Sequence, residues 1–289
     1  MTLLLTDAEV ETFKSRGFLG PFTVMPEDEA VALGRRLVDE VTTTPSPFYA
    51  HTKADIPKLN FIRDRHWDSP AVARILSDGR IVQRITRLLG PDVLLWRSDF
   101  FVQGREDRET APHQDMAFSG MRKIPALAMA DGRMPLNISA WISFTPVDRE
   151  HGGLFVVPGT HHEVLREVPA DPANSIFGKG RVLEKNFTEQ DRFELKMRPG
   201  QFLLFTNLLV HGSYKTAVER ERIALSGRFI GPDVIVNPQG TEVSGHGMDL
   251  SRYGVTLVAG SLRSAPTPLR ALACGNGSGS ISEERMLLG

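Results

Sequence analysis

The residues of this chain best suited to chemistry are its histidines. There are eight: His51, His66, His113, His151, His161, His162, His211 and His246. Two of them open a His-x-Asp pattern, His66-Trp67-Asp68 and His113-Gln114-Asp115. Residues two apart on a strand point to the same face, so either pair sets an imidazole beside a carboxylate. One more histidine from elsewhere completes a facial triad, with three protein ligands on one side of an iron ion and three positions open for co-substrate and O2.

The two pairs differ in setting. His66-Trp67-Asp68 stands just before Ser69-Pro70, an N-cap followed by proline at the first helical position, and Asp68 is expected to help that helix start. His113-Gln114-Asp115 follows a strand and precedes a loop, a suitable place for an open metal site, though a solvated surface turn reads the same way. His211 follows the apolar run Phe202-Leu203-Leu204-Phe205 and is the candidate third ligand; a core or rim histidine would also fit there. Glu150-His151-Gly152-Gly153 reads as a hairpin turn with His151 exposed. The adjacent His161 and His162 would point apart on a strand and are not expected to share a metal.

A second signal is a pair of arginines. Arg222, Ala224, Ser226 and Arg228 share one face of a long strand, and Ile223, Leu225, Gly227 and Phe229 share the other. An arginine facing inward needs an anion, because an unpaired buried charge is very costly. Its planar fork suits a carboxylate. A bound carboxylate or an internal Arg–Asp or Arg–Glu pair would each satisfy it.

The elements that must position these groups fall into two parts, an α+β arrangement. Residues 1–90 read as helical: Thr6 and Glu9 form a capping box with Gly17 as the stop, a second helix runs from about 26 to 41, and two more cover 70–77 and 80–89. From about 92 to 262 the pattern is strands. Leu136 to Phe144 alternates, with Asn137, Ser139, Trp141 and Ser143 on one face, and further strands are expected at 154–157, 193–198, 201–206, 209–214 and 221–230. Residues 117–135 and 171–191 read as loops. Residues 1–273 are expected to form a single domain, followed by a mobile Gly/Ser-rich tail over 274–289.

Composition narrows the function classes. Basic and acidic residues number 34 and 35 and are interspersed, so no basic field marks a nucleic-acid partner. The lone Cys274 excludes an intramolecular disulfide and a cysteine-based zinc site, which suits a reducing cytoplasm. No apolar run approaches the ~18 residues of a membrane span. The oligomeric state is not legible.

Four segments, taken in order, resemble the phytanoyl-CoA dioxygenase-like (PhyH) iron(II)/2-oxoglutarate oxygenases: His113-Gln114-Asp115; Trp141 to Phe144 with Gly152-Gly153-Leu154 and Val157-Pro158-Gly159-Thr160-His161; Pro199-Gly200-Gln201-Phe202; and His211 with Arg222. Gly17 to Phe22, Leu89 to Arg97 with Phe100-Phe101, Asp64-Arg65-His66 and Tyr253-Gly254 are similar to the branch of non-haem iron halogenases that act on carrier-bound amino acids. Those halogenases carry a small residue where this chain has Asp115, and the gap admits chloride to iron. The carboxylate here implies an oxygenase of hydroxylase type.

The resemblance implies a double-stranded β-helix, a jelly-roll variant, with N-terminal helices packed outside. It implies Fe(II) on His113, Asp115 and His211, with 2-oxoglutarate and O2 as co-substrates. Arg222 would take the far carboxylate of 2-oxoglutarate. Trp141 and Thr110 would line the co-substrate, Ser139 would share the face of Trp141, and Arg228 would lie close to the metal. The expected partner is a small-molecule substrate, an amino acid or natural-product intermediate, either free or presented by a carrier protein. Residues 117–135 and the segment from Tyr49 to Asn60, with Lys53, Lys58 and Arg97, are the candidate substrate contacts. Halogenation, desaturation or cyclisation on the same scaffold, and a non-catalytic metal-binding jelly roll, are the competing readings.

Overall fold

The computed structural model describes residues 3–44, 46–48, 63–115, 126–171, 180–240 and 250–273. The segment from Tyr49 to Asn60 with Lys53 and Lys58, residues 117–125 and the tail from Cys274 lie outside the described residues.

Helix α1 (Asp7–Arg16) begins with the expected capping box of Thr6 and Glu9 and stops at Gly17, whose φ of 82° is the left-handed conformation glycine adopts without strain. The chain then forms strand β1 (Phe18–Thr23) within the stretch read from sequence as wholly helical. Gly20-Pro21 hid the strand pattern. Proline is tolerated there because β1 lies at the sheet edge, where a missing N–H donor breaks no ladder on the solvent side. Helices α2 (Glu27–Thr43), α3 (Pro70–Leu76) and α4 (Gly79–Leu89) follow, with Ser69 capping α3 as expected.

The β region comprises β2 (Val93–Gln103), β3 (Thr110–His113), β4 (Leu127–Met129), β5 (Asn137–Ser143), β6 (Leu154–Val157), β7 (Glu167–Pro169), β8 (Arg181–Leu183), β9 (Phe193–Glu194), β10 (Gln201–Thr206), β11 (Val210–Ser213), β12 (Arg222–Ile230), β13 (Val234–Val236) and β14 (Thr256–Ala259). They build a six-stranded sheet in the order β1-β10-β5-β12-β2-β14 and a four-stranded sheet in the order β3-β11-β6-β9. Two short ribbons pair β13 with β4 and β7 with β8. The ribbon strands β4 and β8 fall in stretches read as loops. At three residues each, they are too short to show a period, and their pairing is non-local.

Both faces of the large sheet are covered. On the outer face, Phe100, Val102, Ile138, Ala140, Ile142, Phe202, Leu204, Leu225 and Phe229 pack against apolar residues of α1 to α4. On the inner face, Trp141, Leu203, Phe205 and Ala224 meet Leu154 and Val156 of the small sheet. This is the jelly roll, with helices outside it. It also explains why β5 is buried throughout although it alternates: its apolar side faces helices and its Ser-Trp-Ser side faces the other sheet.

Helix α2 lies so close to the sheet that a Cβ on Gly34 would come 2.3 Å from Phe144 Cβ. Gly34→Ala is therefore expected to lower unfolding free energy by about 1–3 kcal/mol, the usual cost of overpacking. Denaturant unfolding checks this, and an unchanged midpoint would show that the helix can retreat.

Candidate metal centre

His113 ends β3 and His211 lies near the start of β11, and the two are direct partners in the antiparallel ladder between those strands. Their rings lie 4.3 Å apart, centroid to centroid. Asp115 follows two residues after His113. Its Oδ1 is 4.0 Å from His113 Nε2 and 3.8 Å from His211 Nε2. One ligand atom from each residue falls within 4.8 Å of the others, which suits a single ion at their centre.

The tautomers are set by the backbone. His113 Nδ1 lies 2.9 Å from the carbonyl oxygen of Ala111, and His211 Nδ1 lies 2.9 Å from that of Leu209. A carbonyl only accepts, so each Nδ1 carries the proton and each Nε2 lone pair faces the other ligands. Burial, reinforced by His211, pushes the His113 imidazolium down to about 3. For Asp115, burial would raise the pKa, but Arg228 first, then His211, His113 and Arg97, outweigh it and hold the group below the ordinary range. The donor set is thus two imidazoles and a carboxylate, all on one side, and it fits an iron(II) facial triad.

Gln114, between the ligands, points the other way and is fully buried. Its Nε2 faces the carbonyls of Glu163 at 2.9 Å, Leu208 at 2.5 Å and Thr160 at 3.3 Å, and its Oε1 accepts from Leu165 N at 2.8 Å. One side chain therefore ties the His113–Asp115 segment to the turn that delivers His211. Sequence reasoning passed over it; the only signal was its place between two ligands.

The arginine pair lies on the inner face of β12, as the alternation required. Arg222 is buried opposite Gln103 of β2, with its guanidinium carbon 5.5 Å from the centre of the Trp141 ring. Its Nε and Nη1 have no hydrogen-bond partner among the described residues. Burial brings its pKa down to about 10, which still leaves it charged at neutral pH. Such a cation calls for an anion. Ser139 Oγ on β5 and Ser213 Oγ, two residues beyond His211, are also buried without partners among the described residues. Thr110 pairs with Ser213 across β3 and β11 and is half-buried. Arg228, opposite Ser139, reaches Asp115 instead: its Nη2 is 3.5 Å from Oδ2. Arg97 is buried and stacks on Trp96, 4.7 Å from the ring centre.

The other described histidines lie elsewhere, and His51 and His246 lie outside the described residues. His66 is buried with Nδ1 2.8 Å from Ser98 Oγ. Asp68 pairs with Arg65 at 2.9 Å and does not cap α3, whose cap is Ser69: a buried guanidinium beside it claims the carboxylate. His151 is only partly exposed and bonds Asp148 Oδ1 at 2.7 Å. His161 and His162 lie in a short 3-10 turn, and His161 Nε2 meets Lys14 O at 2.9 Å.

With this geometry in place, comparison with known proteins settles the family. The family model "Phytanoyl-CoA dioxygenase (PhyH)" matches residues 13–224. The chain belongs to the phytanoyl-CoA dioxygenase family. The family uses Fe(II), 2-oxoglutarate and O2, and the two imidazoles and the carboxylate present here would hold the iron. Bovine (Bos taurus) peroxisomal phytanoyl-CoA dioxygenase is 24% identical over 236 residues, 78% of this chain and 63% of the bovine protein, so the chain spans less than two thirds of that relative. Ectoine dioxygenase of Sphingopyxis alaskensis is 25% identical over 223 residues, 71% of this chain and 69% of that one. The solved structure of CytC3 with Fe(II) and alpha-ketoglutarate shares the fold, with a TM-score of 0.70 at 23% identity, covering 93% of this chain and 95% of CytC3. No helix among the described residues is long and apolar enough to cross a membrane.

Two predictions follow from the centre itself. Gln114→Leu should weaken Mn(II) binding roughly tenfold, as loss of a supporting partner of ligands commonly does; calorimetric titration with Mn(II) checks this. The second concerns acid. Burial, with Arg270 adding to it, pushes His66 down to about 3 as well. Between their ordinary pKa of 6.5 and about 3, the unfolded chain holds protons on His66 and His113 that the folded chain refuses. Stability is thus expected to fall as pH drops through that window. Urea titrations of metal-free protein between pH 7 and pH 4 should show that slope, reduced by about one proton in His66→Gln.

Proposed function

We propose that this protein is a hydroxylase dependent on iron(II) and 2-oxoglutarate. Its substrate would be a small molecule with an unactivated C–H bond, an amino acid (free or carrier-bound) or a natural-product intermediate, and the co-products succinate and CO2. The observation that carries the reading is the pairing, across the facing inner sides of the two sheets, of the His113, Asp115 and His211 donors with a buried Arg222 whose Nε and Nη1 lack partners among the described residues. A metal-binding jelly roll with no dicarboxylate to hold has no use for that cation.

Bound iron and 2-oxoglutarate supply the O2 activation and oxidising power that no side chain provides. The rest is the work of the chain. His113 and His211 present Nε2 because their Nδ1 protons are spent on backbone carbonyls. Asp115 supplies the anionic ligand and fills the position a halide would need, which favours oxygen transfer over halogenation. Arg222, over Trp141, would pair with the far carboxylate of 2-oxoglutarate, with Ser139 lining the same face and Thr110 on the facing sheet. The apolar residues between the two sheets, with Phe205 against the His211 ring, would limit water at the site. A reducing compartment such as the cytoplasm suits iron(II) and the lone Cys274.

The test is an anaerobic titration of the metal-free protein with Fe(II) and then 2-oxoglutarate. A weak visible charge-transfer band should need both additions and be absent in His211→Ala. Arg222→Ala should raise the 2-oxoglutarate concentration needed roughly thirtyfold, the equivalent of about 2 kcal/mol for a buried charge pair. Iron bound without any band in the unaltered chain would refute the reading.

A further inference from the structure

Behind the ligands runs a line of alternating buried charges. Arg63 Nε lies 3.2 Å from Asp99 Oδ1. Asp99 Oδ2 lies 3.6 Å from Arg228 Nε, and Arg228 Nη2 lies 3.5 Å from Asp115 Oδ2. Asp115 Oδ1 turns the opposite way, to within 4.0 Å of both histidine Nε2 atoms. The two oxygens of the ligand carboxylate are therefore already divided. One faces the metal position and the other faces an arginine.

That division matters for the open positions. A carboxylate that binds through both oxygens takes a fourth coordination position and leaves only two. A bidentate co-substrate plus O2 needs three. Arg228 can hold Oδ2 back only if its own fork is fixed, and its side chain is the least buried member of the line. Asp99 fixes it. Asp99 is 1% exposed, and each of its oxygens is committed to a different arginine. Its backbone is held as well: β2 pairs Asp99 with Ser226 of β12 on one side and bridges to Arg63 on the other. Asp64 reinforces the bridge by accepting from Ser98 N at 3.0 Å.

We propose that Asp99 is a positioning residue for this site: it aims Arg228 at the outer oxygen of Asp115, so that the carboxylate meets the metal through one oxygen and a position stays open for 2-oxoglutarate. The inference rests on the co-substrate reading above and adds a residue that neither touches the metal nor lies on a ligand strand. It predicts a separation of two affinities. When the aim is lost, Oδ2 swings to the metal, metal binding is kept, and 2-oxoglutarate must displace an oxygen to bind.

The experiment uses the full chain with Mn(II) as the probe, titrated calorimetrically, followed by 2-oxoglutarate added to the Mn(II)-loaded protein. In Asp99→Asn and in Arg228→Gln, Mn(II) affinity is expected to stay within about threefold while 2-oxoglutarate affinity falls roughly tenfold. Co(II)-loaded variants should also change their visible d–d absorption before any co-substrate is added, because the coordination shell has gained an oxygen. Asp99→Asn leaves two buried arginines short of charge; if it does not fold, Arg228→Gln with its Co(II) spectrum carries the test. Parallel loss of both affinities would mark Asp99 and Arg228 as merely structural and overturn the proposal. So would variants that bind 2-oxoglutarate like the unaltered chain. If the unaltered Mn(II)-loaded chain takes up no 2-oxoglutarate, the co-substrate reading fails and the proposal with it.

Discussion

The antiparallel pairing of β3 with β11 sets His211 directly across from His113, and the metal centre depends on that single register. The side-chain period of a strand is two, so a slip of β3 by one residue would turn His113 to the other face of the sheet, away from His211, and scatter the ligands. The ladder is short and shifts between His211 and Ser213, so backbone bonds alone hold it weakly. Neighbouring contacts reinforce it. Val156 of β6 pairs with His211 on its other side, Phe205 backs the His211 ring at 4.9 Å, and Gln114 gathers the carbonyls on either side of the site. The same carbonyl-to-Nδ1 contact recurs at both histidines, each from the residue two positions earlier, so the strand that places a ligand also selects its tautomer.

Charge inside the roll follows a consistent pattern. Burying a charged group without a partner costs several kcal/mol, and every inner-face arginine of the large sheet has its own answer. Arg228 lies between two aspartates, and Arg97 stacks on Trp96. Arg222, at the other end of β12 from Arg228, has an aromatic face beside it but two N–H groups with no acceptor among the described residues. The contrast on one strand is informative: a purely structural arginine at 222 would have been given a carboxylate, as Arg228 was. On the proposed function, 2-oxoglutarate would supply that carboxylate.

Much of this was legible in the sequence because it is periodic or capped locally. The capping box of α1, the Ser69 cap of α3 and the alternation of β5 and β12 all lie where the pattern places them, since they depend on residues within one element. The misreadings have local causes too. β1 was hidden by Gly20-Pro21, and β4 and β8 by being three residues long. Asp68 was read as a cap because a sequence shows its neighbours along the chain but not that Arg65 folds back on it.

What the sequence determined by itself is chemistry and facing: a His-x-Asp pair on one side of an extended segment, an apolar strand leading to a third candidate ligand, and two arginines on a common strand face. These follow from side-chain type and the two-residue period, which are properties of the chain before it folds. The tertiary structure added the partners that the sequence could only weigh. It placed His211 opposite His113, the pair the sequence favoured, and Ser98 against His66. It set Arg228 beside Asp115 and left Arg222 Nε and Nη1 without a partner among the described residues. It also recruited Gln114 and Asp99, whose roles are set by partners far away along the chain. No local pattern encodes such a partner, because it exists only once the two sheets have closed on each other.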